Sequence, residues 1–362
     1  MKEKYWIAFS SIEEIDSQFI QTLYEYFGDI EKAFNSNEKE LERIEGLSIK
    51  KAQKFLKLRD KIDIDKTFAQ VETKGINFLT LEDEKYPQML RNISNPPAVL
   101  YYKGKLFECN LNKTLAIVGS RKASINSRNN LRKIISGLAN TDICIVSGLA
   151  SGIDTVAHTS AIENNLKTIG VIASGFDFVY PTQNKTLYEN IENGYGAVVT
   201  EYYPTFEPLR FRFPQRNRIV SGLSYGTLVA EASLKSGALI TANLTLEQNR
   251  ELMCIPGEIS NANTEGIYKL LKTGAYMVTE SQDILDALRW EINNENNQTQ
   301  LTLPTMTPDE EIIYDNIQIE EKGVDELLAL TGLKLDNLLM NLTTMELKGI
   351  IRQVNSDRYI KV

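Results

Sequence analysis

The chain has 362 residues, 42% hydrophobic and 24% charged, so two or three domains with sizeable cores are expected and wholesale disorder is excluded. Three scattered cysteines (Cys109, Cys144, Cys254) and a single histidine, His158, exclude a disulfide framework, a zinc site and any two-histidine relay. The net charge of −8 argues as a mean against a nucleic-acid binder, yet residues 113–133 hold six basic residues and no acid, and residues 205–218 hold four arginines against Glu207, while thirteen acids gather in residues 280–326.

Residues 1–65 predict a helical N-terminal domain, with Ile15, Phe19, Leu23, Tyr26 and Phe27 at helical spacing. In Leu41–Phe55, Gly46 separates two helical stretches. That is the form of a helix-hairpin-helix, whose amides can hold a phosphate, and equally of a plain tight connection. Residues 66–112 are a transition, with the extended, proline-fixed segments Tyr86-Pro-Gln-Met-Leu90 and Asn95-Pro-Pro-Ala-Val-Leu-Tyr-Tyr-Lys-Gly104 leading into the next domain.

Residues 113–290 alternate short apolar runs with helical stretches. The expected strands are Leu115–Val118, Ile143–Val146, Thr168–Ala173, Ala197–Thr200, Thr227–Ala230, Leu252–Ile255 and Tyr276–Val278. Nearly all-apolar strands joined by crossovers of about 20 residues predict a doubly wound parallel α/β sheet. The polar residues 291–308 predict a linker. Residues 309–362 predict a winged-helix-like domain, whose second helix carries Asp336 and Glu346 and no basic residue before Lys348, which favours a protein-contact or structural role over DNA reading. No run of about 18 apolar residues predicts a membrane span, and the charged start Met1-Lys-Glu-Lys lacks a signal-peptide core, so the cytoplasm is the expected location.

In an open parallel sheet, ligands bind outside the carboxyl ends of the strands. Gly119-Ser120, Ser147-Gly148 and Ser174-Gly175 fall there. The helix expected after Gly119 starts among Ser124, Asn126 and Ser127, and its positive end together with Arg121 and Lys122 predicts a phosphate site. Lys235-Ser236-Gly237 offers a second such helix start. Neither a P-loop nor a Gly-x-Gly-x-x-Gly fingerprint occurs, so no nucleotide cofactor is expected. The run Phe211-Arg-Phe-Pro-Gln-Arg-Asn-Arg218 interleaves aromatics with arginines, as single-strand binders do. The bland alternative buries Phe211 and Phe213 and sets Arg216 or Arg218 against Glu201 or Glu231. Asp154 reads as a helix N-cap and His158 as a packed side chain.

The motifs Ala116-Ile-Val-Gly-Ser-Arg121, Ser147-Gly-Leu-Ala-Ser-Gly-Ile-Asp154, Tyr180-Pro-x-x-Asn184, Phe213-Pro-Gln-Arg-Asn-Arg-Ile219, Glu231-Ala-Ser-x-Lys-Ser-Gly-Ala-Leu-Ile-Thr241 and Ile255-Pro-Gly257 stand in order. This resembles the DNA-processing protein A (DprA/Smf) family over nearly the whole chain. The resemblance implies an extended Rossmann domain over residues 66–290. It also implies single-stranded DNA binding without enzymatic activity, a homodimer, and delivery of DNA to a RecA-type recombinase during natural transformation. Carried over by motif, the DNA site comprises Gly119, Ser120, Arg121, Lys122, Lys185, Arg216, Asn217, Arg218, Lys235, Ser236 and Gly237. The dimer surface comprises Ile267, Tyr268, Leu271 and Tyr276. The sequence departs from the family pattern at Asn126-Ser127, where a Tyr-Gly is common, at Ser151, where a basic residue is frequent, and at Tyr268, where an Asn is usual. A competing reading, a nucleotide or nucleoside-monophosphate hydrolase on a related scaffold, lacks its Pro-Gly-Gly-x-Gly-Thr string, because Ser221-Gly-Leu-Ser-Tyr-Gly-Thr stands there.

Overall fold

The computed structural model describes residues 2–291, 306–317, 321–348, 350–355 and 358–361. Residues 1–291 and 292–362 form two compact units.

The first unit is built on a nine-stranded sheet: β1 (Asn77–Thr80), β2 (Val99–Gly104), β3 (Thr114–Gly119), β4 (Cys144–Ser147), β5 (Thr168–Val171), β6 (Gly196–Thr200), β7 (Gly226–Glu231), β8 (Glu251–Cys254) and β9 (Tyr276–Met277). Their order in space is β1-β2-β6-β5-β4-β3-β7-β8-β9. Strands β3 to β9 pair in parallel, while β2 runs antiparallel to both β6 and β1. All seven strands expected in residues 113–290 are present. Of the two antiparallel strands, β2 falls in the expected extended segment Asn95–Gly104 and β1 was not foreseen, while Gln88–Arg91, expected as extended chain after Tyr86-Pro87, is a short helix that Pro87 precedes.

Alternation along the strands feeds a core on each face of the sheet. Ala116, Val118, Val146 and Val229 point to one face, under Ile219, Val220 and Ala242 of the helices Arg212–Gly222 and Ala238–Glu247. Leu115, Ile117, Ile145 and Leu228 point to the other. There they meet Leu131 and Ile135 of the helix Ile125–Ser136 and Val156 and Ala157 of the helix Ile153–Glu163. All three cysteines are buried and free.

Six helices precede the sheet, the last of them Ile64–Thr73, which runs across the expected boundary at residue 65. Their core of Trp6, Phe9, Phe19, Phe34 and Phe55 also takes in Val99, Tyr101 and Tyr203, so these helices are packed onto the β2 side of the sheet. Between the helices Glu38–Leu41 and Ile49–Arg59, Gly46 adopts φ +78, the left-handed turn that either sequence reading requires.

The second unit holds helices Pro308–Asn316, Val324–Thr331 and Leu335–Leu347 and a three-stranded antiparallel sheet, β10 (Lys322–Gly323), β11 (Ile351–Asn355) and β12 (Arg358–Lys361), in the order β10-β12-β11. Its own core includes Ile313, Leu327, Leu338, Leu342 and Ile351. Most of the expected linker, residues 292–305, lies outside the described residues.

Candidate nucleic-acid interface

The strand order reverses at β3. The chain winds outward through β4, β5 and β6 on one side, then returns to place β7, β8 and β9 on the other. Loops leaving β3 and β7 therefore diverge and open a crevice at their carboxyl ends. A cleft of about 950 Å³ lies there. Its walls include Gly119, Ser120, Arg121 and Lys122 after β3, and Ser236, Gly237 and Thr241 after β7. Arg216 and Asn217 from the helix before β7 line it as well. Four lining side chains are cations (Arg121, Lys122, Arg210, Arg216) and one, Asp154, is an acid, so the cleft is electropositive although the protein is acidic.

Three side chains make an aromatic and cationic wall. The Phe213 ring meets the Tyr180 ring edge-on at 5.4 Å, and the exposed Arg121 guanidinium lies 5.3 Å from the Phe213 centroid. Tyr180 is 51% exposed, which leaves a free aromatic face. Tyr180, Arg210 and Phe213 were absent from the expected DNA site. For Arg210 and Phe213 the signal was the same interleaving of aromatic and basic residues that drew attention to the run from residue 211, whereas Tyr180 lies outside that run.

The loop leaving β3 is fixed from below. Ser120 donates its N–H to the Glu231 carbonyl at 2.8 Å and accepts from Ile153 N–H at 3.1 Å. Gly152 stands against it at φ +82, and a Cβ there would lie 2.3 Å from the Ser120 carbonyl oxygen. The start of the helix Ile125–Ser136 is not free to take a phosphate as expected. The buried Glu231 carboxylate accepts from the Ser124 amide at 3.0 Å and from the Ser124 hydroxyl at 2.6 Å, so the protein's own anion occupies that positive end. The helix start that opens into the cleft is the second one, at Ser236-Gly237-Ala238.

Arg216 is buried. Its Nη1 donates to the carbonyls of Gly148, at 2.7 Å, and of Val171. Burial lowers its pKa to about 10, opposed by nearby Asp154, so it stays cationic at neutral pH. Asp154 is no N-cap. Gly152 holds that position, and Asp154, in the first turn, reaches back to accept from the amides of Gly148 (3.1 Å) and Ala150 (3.3 Å). Burial raises its pKa to about 6 against the pull of Arg216. His158 is fully buried, with Nδ1 2.7 Å from Thr168 Oγ1. That hydroxyl itself donates to the Ile145 carbonyl, so Nδ1 carries the proton. Burial and Arg216 depress its pKa to about 3, which fits the packed role expected for it.

Several expected residues fall elsewhere. Arg218 turns away from the cleft and grips both oxygens of Glu201 at 2.6 and 2.7 Å, with Nε on the Asn95 carbonyl. The bland alternative thus holds for Arg218, but not for Phe211, which is 57% exposed. Lys185 is exposed on the helix Lys185–Asn190, 3.9 Å from Glu189, and does not line the cleft. Lys235 is exposed on the turn between the lining residues Ser233 and Ser236. In the expected dimer surface, Ile267 is wholly buried and belongs to the core. Tyr268 is half-buried and donates its hydroxyl to the Gly257 carbonyl. Leu271 is partly buried against the core, and Tyr276 is 51% exposed.

Residues 77–289 match the model of a protein family described as DNA recombination-mediator protein A. The chain belongs to this family. Among family members, protein Smf of Synechocystis is 31% identical over 99% of this chain and 98% of its own. DNA processing protein DprA of Streptococcus pneumoniae is 42% identical over 61% of this chain and 78% of its own. The X-ray structure of the Streptococcus pneumoniae protein superposes with a TM-score of 0.68 at 35% identity, covering 79% of this chain and 96% of that one. A structure describing the single-stranded DNA binding mode of the Helicobacter pylori protein has a TM-score of 0.53 at 28% identity, covering 59% and 95%. The family match spans all nine strands of the sheet, and so includes the whole cleft.

Proposed function

We propose that this protein binds single-stranded DNA along the cleft at the β3/β7 switch point and hands it to a RecA-type recombinase during DNA uptake and recombination. The observation that carries the reading is the convergence of Arg121, Phe213 and Tyr180 on an electropositive cleft. Cations track a phosphate backbone, and aromatic faces stack on bases of any sequence at about 1–3 kcal/mol per base. The single-stranded DNA binding mode described for the Helicobacter pylori relative supports the same ligand class. Family membership supports the recombinase partner, a cytoplasmic location and a non-enzymatic role.

The core of the DNA site in this reading is Gly119, Ser120, Arg121, Lys122, Arg216, Asn217, Ser236 and Gly237, joined by Tyr180, Arg210 and Phe213, with Lys235 at its edge. The dimer forms through the β9 edge, with Tyr276 and Leu271. The tail acts as a winged-helix-like module for protein contact, consistent with the helix Leu335–Leu347, which bears Asp336 and Glu346 and no cation.

The test is a mobility-shift titration with oligo-dT at several salt concentrations, with mononucleotides as competitors. Tight, salt-sensitive binding of the oligonucleotide that mononucleotides do not displace is expected. Preferential mononucleotide binding with turnover would instead favour a hydrolase.

A further inference from the structure

Among the described residues lining the cleft one is an acid, and its position is anomalous for a site that takes an anionic strand. Asp154 is 7% exposed, and it lines the cleft among Arg121, Arg216 and Tyr180. Its Oδ2 holds the amides of Gly148 and Ala150. The loop it holds is constrained on three sides. Leu149 is left-handed at φ +54, Asn184 donates to the Leu149 carbonyl at 2.8 Å, and Arg216 donates to the Gly148 carbonyl at 2.7 Å. A Cβ on Gly148 would lie 2.6 Å from Arg216 Nη2 and 2.8 Å from Asp154 Oδ2, so the loop backbone threads between the two charges. Ionised, Asp154 neutralises a lining cation. Protonated, it leaves the Arg216 charge uncompensated beside the strand while an oxygen can still accept from the loop amides.

We propose that Asp154 is a positioning residue of the cleft whose carboxyl takes up a proton when the strand binds, so that strand affinity rises as the medium acidifies. This rests on the DNA-binding reading above. The charged and titratable groups that share the cleft with it are Arg216 from the helix before β7, Arg121 and Lys122 after β3, Arg210 ahead of that helix, and Tyr180 after β5; His158 lies one turn further along its own helix. His158 stays neutral down to about pH 3 and Arg216, its pKa lowered by burial to about 10, keeps its charge, while burial raises the pKa of Asp154 to about 6, inside the window from pH 5 to 8. Phosphates nearby raise it further. Affinity is therefore flat at high pH, climbs as pH falls toward 6, and levels off below.

The experiment is oligo-dT binding from pH 5.5 to 8 with the full chain, since thymine gains no proton in that range. Wild type is expected to bind several-fold more tightly at pH 5.5 than at pH 8, never exceeding about tenfold per pH unit, the limit for one proton. Asp154→Asn keeps an acceptor oxygen for the loop and removes the charge. It should bind at pH 8 about as tightly as wild type does at pH 5.5, with the slope gone. A slope that survives in Asp154→Asn overturns the proposal, as does an affinity that drops equally at every pH, the result of a merely structural role. Should that variant fail to fold, calorimetry of wild type near pH 6.5 in two buffers of different ionisation enthalpy decides. Uptake of a fraction of a proton supports the proposal and none overturns it. If wild type binds no oligo-dT at any pH, it is the DNA-binding reading that fails.

Discussion

Arg121 and Arg218 carry the same charge and have opposite situations. Arg121 is exposed over Phe213 at the cleft, whereas the Arg218 guanidinium is 13% exposed and gives both ends of its fork to Glu201. Arg121→Ala should leave the unfolding midpoint unchanged, weaken oligo-dT binding, and reduce the salt slope by about 0.7 for each phosphate that Arg121 neutralises. Arg218→Ala leaves Glu201 without its partner at a site only 10% exposed. It should cost about 3 kcal/mol in urea denaturation and leave the salt slope of the folded fraction intact. The sequence brought Arg216 and Arg218 into view together and did not separate them, although helix geometry could have. Residues two apart on a helix point about 200° from each other, so Arg216 and Arg218 cannot both face one cleft. Asp154 and His158 were legible as structural residues, but their burial was not, and burial makes them opposed in stability. Asp154 has a folded pKa of about 6, above the unfolded value of 3.8, so its contribution is full below pH 3.8 and is lost as pH rises through 6. His158 has a folded pKa of about 3, below 6.5, so its contribution is full above pH 6.5 and is lost as pH falls toward 3. Between about pH 4 and 6 the two nearly cancel. Asp154→Asn should therefore expose an acid-side loss of up to about 1.4 kcal/mol per pH unit below pH 6.5, and His158→Gln the reverse gain as pH falls from 7 to 4. Urea midpoints measured across that range check both, and parallel profiles in the two variants would contradict the assignment.

At the scale of elements, strands buried on both faces announce themselves as short apolar runs, which is why β3 to β9 were placed to within two residues at each end. Strand β2 read only as extended chain because it follows Pro96-Pro97, and the four-residue β1, which pairs antiparallel at the end of the sheet and is buried only in part, carries no such run and went unread. The occupied start of the helix Ile125–Ser136 was beyond reach for a different reason. Its capping residues were legible, but the carboxylate that fills it comes from Glu231, 107 residues away. What the local sequence does encode is Gly152. With φ +82 and ψ −124, it occupies backbone space closed to other residues, and it presses on the Ser120 carbonyl. Gly152→Ala should lower stability by about 1–3 kcal/mol and push the Gly119–Lys122 loop out of register with the cleft. The loss of oligo-dT affinity should then exceed that of Ser151→Ala, a neighbour outside that contact. Equal stability of wild type and Gly152→Ala in urea would show that the loop relaxes freely and that the close approach to Ser120 has no hold on it.

At the scale of the whole molecule, the two ends of the sheet are treated differently. At the β1 end, Phe78 packs on Phe68 at 6.1 Å, under the helix Ile64–Thr73. At the other end, β9 pairs, among the described residues, with β8 alone, and Tyr276 and Met277 are 51% and 59% exposed. An edge strand left uncovered by the described residues and bearing two large apolar side chains is a pairing surface unless something blunts it, and a two-fold axis lets the same edge satisfy itself. Both residues of β9 are exposed and neither holds up the core, so they can be altered without touching the fold. Leu271 cannot, because it packs partly buried against the core, and Ile267 is enclosed in it. The discriminating variant is therefore Tyr276→Glu with Met277→Glu. Light scattering should give a dimer for wild type and a monomer for the double variant, with equal unfolding midpoints once both are measured at concentrations low enough for wild type to dissociate. A dimer brings two clefts to one strand, and the second engagement is then governed by effective concentration. The double variant should lose affinity for an oligonucleotide long enough to reach both clefts and keep its affinity for one that fills a single cleft. Equal losses on both lengths would place the edge in the DNA site itself, and a wild-type monomer at tens of micromolar, about 7 kcal/mol of association or less, would leave this edge without a partner of its own kind.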